Sequence, residues 1–334
     1  MGVILTAAQH TVSVIIPAYN VGHCLSKCID SVFRQTRVPD EIIVVNDGST
    51  DNTGNVIKSY GERIRSIEQE NLGQGAARNS GLDVASKDFV AFLDADDYWL
   101  PEFLSVTSDF LGVCPDVVAV STGGEVLSRG GQRRKVPRFL RNPSINTSPR
   151  ILEDFFGFWA RHDHLRTGTV LMRRSVLSEA GGQRPDLRIS QDLEYWGYLG
   201  TFGRWGFIPR ILWVGDSRAA AFRYGWQKRY ETRRKLCPSV KSWESRILRR
   251  LDDADRDAFA KIRGRVAAGY SHSKVLIGDP GGALEIFRTY EGELPVNIVT
   301  RIMRLGCRLG LSGWAAACGI IRLRERTKAA SWMS

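Results

Sequence analysis

The chain has 334 residues, 43% apolar and 25% charged, the balance of a soluble globular protein with room for two domains. Its net charge of +11 is unevenly placed: residues 1–216 carry 23 Lys and Arg against 25 Asp and Glu, and residues 217–334 carry 24 against 11. Six cysteines without a C-x-x-C pair, and five scattered histidines, argue against zinc or a disulfide framework and for reduced cytosolic thiols.

The opening "MGVILTAAQH" has neither the basic region nor the long apolar core of a secretory signal. It matches the short myristoylation pattern M-G-x-x-x-[ST] through Gly2 and Thr6. Val12 to Ile16 form a β-branched run, which predicts a strand buried on both faces of a parallel sheet and stopped by Pro17. Asn20 is a candidate N-cap. Leu25, Cys28, Ile29, Val32 and Phe33 follow the spacing of one helix face. A second strand begins at Glu41 and ends in the turn Asn46-Asp47-Gly48-Ser49, with Asp51 capping a helix through Tyr60. A weaker apolar segment, Ile64–Ile67, precedes "NLGQGAARNSGLDVAS", a glycine-rich turn that enters a small-residue helix. The strand "FVAFLDADD" follows. Four strands alternating with three helices predict a right-handed parallel α/β unit, with ligand bound outside the carboxyl ends of the strands. Residues 122–150, rich in Gly, Arg, Pro and Ser, read as a long loop or mobile lid. Residues 151–215 return to alternating texture, and from about 220 the chain is helix-prone and basic.

The chemistry concentrates at the strand ends. In "FVAFLDADDYW" a buried strand delivers Asp94, Asp96 and Asp97 to one place. Like charges that close raise each other's pKa unless a cation lies between them. A solvated acidic turn accounts for such a cluster equally well when it stands alone. An EF-hand is excluded by its required Gly and Glu positions. Mg²⁺ or Mn²⁺, held by one or two carboxylates with substrate phosphates completing the shell, supplies the missing charge. Asp47, at a strand end, is placed to accept from an imide N–H. The helix start at Gly73 either presents N–H groups to phosphate or simply packs closely. Neither G-x-G-x-x-G after the first strand nor a P-loop is present, so hydride transfer and P-loop phosphoryl transfer lose support.

"VSVIIPAYN", "IIVVNDGSTDNT", "NLGQGAARNSGL" and "FVAFLDADDYW", in this order and at these separations, resemble the inverting family-two glycosyltransferases of GT-A fold. The resemblance is strong over residues 11–105, fainter to about 215, and absent beyond. It implies a GT-A type, mostly parallel α/β sheet flanked by helices, with a basic C-terminal helical extension. The implied division is a nucleotide-sugar-binding half at 11–105, an acceptor-binding and catalytic half at 106–215, and a basic helical region at 216–334. It further implies a UDP-sugar or other nucleotide-sugar donor, with Pro17, Ala18 and Tyr19 lining the base and ribose pocket and Asp47 accepting from uracil N3–H. Arg78 supports the nucleotide pocket, Asp94 lies near the ribose and the metal's water shell, and Asp96 ligates the Mg²⁺ or Mn²⁺ that bridges the diphosphate. Asp97 is a helper or cap, and Asn20, Gly73 and Gln191 are secondary candidates. The family's catalytic base is the Asp of a Glu-Asp pair. Here the pair reads Gln191-Asp192, so the base position is kept and its neighbour departs. A helix N-terminal Asp followed by core Tyr195 and Trp196 is the plainer alternative for Asp192. Burial against Trp196 and Tyr198 is expected to raise Asp192 from the ordinary ~3.9 toward a useful base. The Gln-x-x-Arg-Trp motif and spanning helices of processive synthases are missing, and "QKRYETRR" only begins like the motif. Single transfer to a glycan or lipid-linked glycan acceptor, in surface polysaccharide synthesis, is the expectation.

Arg301, Arg304 and Arg308 form one helical edge beside Ile302, Leu305 and Leu309. That pattern suits a helix on an anionic bilayer as well as one packed on the protein with solvated arginines. The nearest approach to a spanning segment, Leu305–Ile321, is interrupted by Arg308, which points to a cytoplasmic protein with at most peripheral membrane contact. Nucleic acid is disfavoured, since Trp226, Trp243 and Trp314 follow no recognition-module spacing. Two rival functions stay open. A sugar-nucleotide pyrophosphorylase needs a Gly-rich loop with Arg and Lys where "PAYNVGHC" stands, and a non-catalytic nucleotide-sugar-binding protein has no need of Asp96 and Asp192.

Overall fold

The computed structural model describes residues 10–128, 130–142, 148–187, 189–216 and 239–330, with side chains through residue 325. The described residues divide into two compact units, 10–185 with 191–216, and 186–190 with 239–330. The Gly2 and Thr6 pattern, Cys237, Trp226 and "QKRYETRR" lie outside them.

In the first unit, β1 (Val12–Ala18), β2 (Glu41–Asp47), β3 (Arg65–Gln69) and β4 (Phe89–Phe92) alternate with α1 (Leu25–Phe33), α2 (Thr53–Ser59) and α3 (Gln74–Val84). The four strands are parallel in the order β3-β2-β1-β4. β1 is buried along its whole length, as a continuous β-branched run requires in a sheet covered on both faces. Pro17 does not end it. Pro17 and Ala18 pair with Val45 and Asn46, while the β4 ladder stops at Ile15↔Phe92, so no ladder donor is asked of Pro17 on that side. α1 buries Leu25, Cys28, Ile29 and Val32. Asn20 is not its cap. The residue takes a left-handed φ of 53°, and its Oδ1 accepts from the N–H groups of Thr50 (2.8 Å) and Asp51 (3.3 Å), clamping the tip of β1 to the turn after β2. α3 lies close on β1 because Gly81 has no side chain: a Cβ there would stand 2.4 Å from Ile15 Cγ2.

The chain continues through β5 (Asp97–Trp99), α4 (Phe103–Val113), β6 (Val117–Leu127), β7 (Arg133–Val136), β8 (Arg150–Leu152), α5 (Phe155–His162), β9 (Val170–Arg173), α6 (Arg174–Ala180), α7 (Gln191–Leu199) and β10 (Arg204–Asp216). β9 runs antiparallel between β4 and β6, β10 runs parallel to β6, and β5 and β8 pair antiparallel with β10. The expected lid at 122–150 begins as sheet: β6 carries on to Leu127 and forms a hairpin with β7. Its glycines belong in the strand because neighbours occupy the space beside them. A Cβ on Gly124 would lie 2.4 Å from the Trp213 ring, and one on Gly123 would lie 2.3 Å from Leu140 Cδ1.

The second unit contains α8 (Val240–Leu248), α9 (Arg256–Ile277), α10 (Pro280–Thr289), α11 (Ile298–Arg308) and α12 (Gly310–Ala330). Side chains of Ser239, Asp279 and Asn297 cap α8, α10 and α11. Within this unit Trp243 Nε1 donates to Ser190 O (3.0 Å) and Tyr270 Oη to Ile189 O (3.1 Å). No described helix is long and apolar enough to cross a membrane.

Candidate active site

The first turn of α3 organises the polar residues of the first unit. Gly73, just before it, has a φ of 91°, a region where a side chain is strained. That conformation aims two successive N–H groups at the end of β2. Leu72 N–H and Gly73 N–H both donate to the buried Asp47 carboxylate at 2.9 Å, and Gln69 Nε2 donates at 2.7 Å. A carboxylate accepts at about four lone-pair sites, so Asp47 retains room for one further donor. Pro17 and Ala18 lie in the strand beside it, and Tyr19 follows them half-exposed.

One residue on, Gln74 Nε2 donates to Asp94 Oδ1 at 2.8 Å, and one helical turn later Arg78 Nη2 donates to the same oxygen at 2.5 Å. Arg78 is only 1% exposed, so its charge requires that partner. Its Nη1 donates to Gln183 Oε1 at 3.1 Å, which fixes the orientation of the Gln183 amide. Asn79 grips the Gln183 backbone both ways: its Nδ2 donates to Gln183 O (2.7 Å) and its Oδ1 accepts from Gln183 N–H (2.8 Å). Gln183 escaped the sequence reading because its partners lie about a hundred residues upstream. Gly75 completes the contact with the start of α7, since a Cβ there would lie 3.3 Å from Gln191 Oε1.

Asp192 sits in the first turn of α7, followed by the fully buried Tyr195 and Trp196. Burial raises its carboxyl above the usual range, and Asp94 adds to the rise. Arg78 is the largest opposing influence, with the Leu193 N–H and Arg166 also lowering it. Arg78 therefore bonds Asp94 and acts electrostatically on Asp192.

A second acidic group surrounds the turn after β4, where Asp97 N–H donates to Asp94 O. Asp97 accepts from Trp213 Nε1 (3.0 Å) and Asp216 N–H (3.2 Å), which ties β5 to β10. Burial, Asp94 and Asp96 push its carboxyl up. Asp216, buried at the end of β10, accepts from Lys27 Nζ at 3.0 Å, and that ammonium also stands 3.8 Å over the Tyr98 ring. The sequence reading missed Asp216, although "RILWVGD" carries the signal used for Asp47, a carboxylate that ends an apolar strand. Asp96 differs from the other three in having only its own backbone N–H as a hydrogen-bond donor among the described residues. Burial and then Asp94 and Asp216 raise it to about 6. The Cys24 thiol is pushed to about 12 by burial and by Asp96, Asp216, Asp51 and Asp97. The five described cysteines are all free.

Among the described residues, no group of three or more His, Cys, Asp or Glu side chains is arranged to hold a metal unaided. The donor chemistry still fits a hard divalent cation, because a buried acidic cluster with one uncompensated carboxylate has oxygen to offer and lacks positive charge. Asp47, Gly73, Arg78, Asp94, Gln191 and Asp192 are thus brought together around α3, and Asp96, Asp97 and Asp216 join them through Asp94. Asn20 stays outside this network, in the clamp at the tip of β1.

Comparison with known proteins agrees with this architecture. The chain is similar to the uncharacterized glycosyltransferase EpsJ of Bacillus subtilis strain 168, 46% identical over 188 residues, covering 55% of this chain and 52% of that one. The chain spans about half or less of the length of the curated relatives it matches first. S. aureus TarS 1–349 in complex with UDP superposes with a TM-score of 0.64 at 18% identity, covering 95% of this chain and 92% of that one. A mannosyltransferase of Pyrobaculum calidifontis, solved with GDP-Man and Mn²⁺, superposes with a TM-score of 0.55 at 18% identity, covering 94% and 87%. These likenesses show the GT-A fold. The model of glycosyl transferase family 2 matches residues 13–180, half of the chain, a stretch that takes in Asp47, Gly73, Arg78, Asp94, Asp96 and Asp97 and ends before Gln191, Asp192 and Asp216. The chain belongs to glycosyltransferase family 2.

Proposed function

We propose that this glycosyltransferase moves a hexose from a UDP-sugar, or another nucleotide-sugar, to a hydroxyl of a glycan or lipid-linked glycan, with inversion and one sugar per encounter. The observation that carries the reading is the pairing of two carboxylates made unusual by their surroundings. Asp192 is raised by burial beside Arg78, and Asp96 is left uncompensated in an acidic cluster. The donors named with the solved neighbours, UDP and GDP-Man, support a nucleotide-sugar ligand, and the Mn²⁺ of one supports a divalent ion.

Residues 11–105 are assigned to the donor and 106–215 to the acceptor. Asp47, with one acceptor position left, takes the uracil N3–H, and Pro17, Ala18 and Tyr19 flank the base and ribose. Gly73 presents the loop that fixes Asp47, while Gln191 seats the start of α7 against Gly75. Asp96, with the donor's diphosphate, would hold Mg²⁺ or Mn²⁺, and the ion would supply positive charge against the departing diphosphate. Asp94, bonded by Arg78, would lie near that ion, and Asp97 holds the turn in place. Asp192 takes the proton of the acceptor hydroxyl as its oxygen bonds to the anomeric carbon. The bond from that carbon to the diphosphate breaks, and the nucleoside diphosphate leaves. Attack opposite the leaving group inverts the anomeric carbon. A carboxyl raised toward neutrality is the better base for this step.

The test is nucleotide release from UDP-, GDP- and dTDP-sugars with Mn²⁺ and a panel of glycan acceptors, with the product's anomeric configuration read by NMR. The expected result is acceptor-dependent release of nucleoside diphosphate and an inverted linkage. Release of nucleoside triphosphate from pyrophosphate and a nucleotide-sugar would instead indicate a pyrophosphorylase. Binding of donor without turnover would indicate a non-catalytic protein.

A further inference from the structure

The second unit carries a helix whose apolar side faces outward. In α11, Thr300, Met303 and Gly306 are buried. On the other side Ile298, Leu305 and Leu309, spaced i, i+7, i+11 as one stripe, are 54%, 61% and 66% exposed. The first turn of α12 adds Leu311 at 77%. Arg301 and Arg308 are exposed along the edge of the same stripe, while Arg304 is turned to Glu291. A surface helix of a soluble protein has the opposite arrangement.

Loose packing does not explain it, because the inward side of the hairpin is fully used. A Cβ on Gly306 would stand 2.8 Å from Gly313 O and 2.5 Å from Ala317 Cβ, so the two helices pack closely across Gly306. Trp314 Nε1 donates to Pro280 O at 2.8 Å, and Arg322 Nε donates to Val275 O at 2.7 Å, which pins α12 to its neighbours. The outward leucines are therefore surplus to this unit's own core. Charge selects what they meet. Residues 298–330 hold seven Lys and Arg against the single acid Glu325. A second copy packed face to face would set Arg301 and Arg308 against their own counterparts. An anionic surface that also accepts apolar side chains meets both features.

We propose that α11 and the start of α12 form a membrane-surface anchor, with Ile298, Leu305, Leu309 and Leu311 entering the acyl boundary of an anionic bilayer and Arg301 and Arg308 at its phosphates. This goes beyond the donor site and does not depend on it. The test is flotation of the full chain with vesicles of phosphatidylcholine alone and of phosphatidylcholine mixed with phosphatidylglycerol. The wild-type chain is expected to float with the anionic vesicles only, and less so as salt rises. Leu305→Ser with Leu309→Ser should lower partitioning about tenfold or more, since each leucine loses apolar burial. Arg301→Gln and Arg308→Gln should each lower it about fivefold, the factor for roughly 1 kcal/mol per basic residue at such a surface. All these side chains face outward, so melting curves and UDP binding should match wild type and separate a lost anchor from a lost fold or donor site. Equal flotation with neutral vesicles, or anionic binding indifferent to the leucine changes, overturns the anchor. So does a lipid-free dimer, seen by light scattering, that the same leucine changes dissociate.

Discussion

Asp96 and Asp192 are both carboxyls raised by burial, and their proposed roles draw on that rise in opposite ways. Asp96 must be ionised to hold a cation. Its folded-state pKa of about 6 lies above the ordinary 3.8 of a free Asp, so the folded protein binds its proton more tightly than the unfolded chain does. Stability from this group is present below about pH 4 and lost as pH rises through 6. Asp96→Asn should therefore stabilise the metal-free protein at pH 7.5 by on the order of 2–3 kcal/mol while abolishing transfer. Urea melts at about pH 4.5 and 7.5 check this, and a variant no more stable than wild type at the higher pH contradicts it. Asp192 has to lose its proton to act. Burial raises it, so the rate should fall on acidification at a pH above the ordinary carboxylate range. Asp192→Asn should lower kcat about 10²–10⁴-fold with UDP affinity unchanged, and a loss below about tenfold would exclude it as the base.

α3 is the element on which the site depends, because it serves Asp47 at its start, Asp94 one turn on, and Gln183 through Asn79. Asn79→Ala removes two hydrogen bonds to the Gln183 backbone and should lower stability by about 2 kcal/mol, with a further fall in kcat as Arg78 loosens. Thermal melts and single-turnover rates read the two effects, and full activity in the variant would detach Gln183 from the site. Gly73→Ala strains a left-handed position and should cost about 1–2 kcal/mol while weakening nucleotide binding more than turnover, which a KM-against-kcat comparison resolves. This α/β half was legible in the sequence because β1 and β2 are β-branched runs that end in polar turns, β4 is an apolar run that ends in carboxylates, and small residues marked α3 as a close-packed helix. Legibility failed where the deciding partner is distant. Gly123 and Gly124 read as loop because Leu140 and Trp213, which fill the space beside them, lie further along the chain. Asn20 read as a cap because the turn it clamps is thirty residues on, and Asp216 gained meaning only when β10 paired with β5.

At the scale of the molecule, the charge asymmetry follows the division of labour: a near-neutral unit that carries the carboxylates of the site, and a basic helical unit whose α11 turns its leucines outward. The first unit resolves the clash of carboxylates that its sequence sets up. Arg78 answers Asp94, Lys27 answers Asp216, Trp213 and a backbone N–H answer Asp97, and Asp96 alone of the four has no such partner among the described residues, which is the place proposed for a cation. The measurement that bears most directly on this is calorimetric titration of UDP into the wild-type protein and Asp96→Asn, each with and without Mn²⁺. The expected result is that Mn²⁺ tightens UDP binding to wild type at least tenfold and leaves the variant's weak binding unchanged. Equal affinity of the wild-type protein with and without the ion would contradict a cation held between Asp96 and the diphosphate.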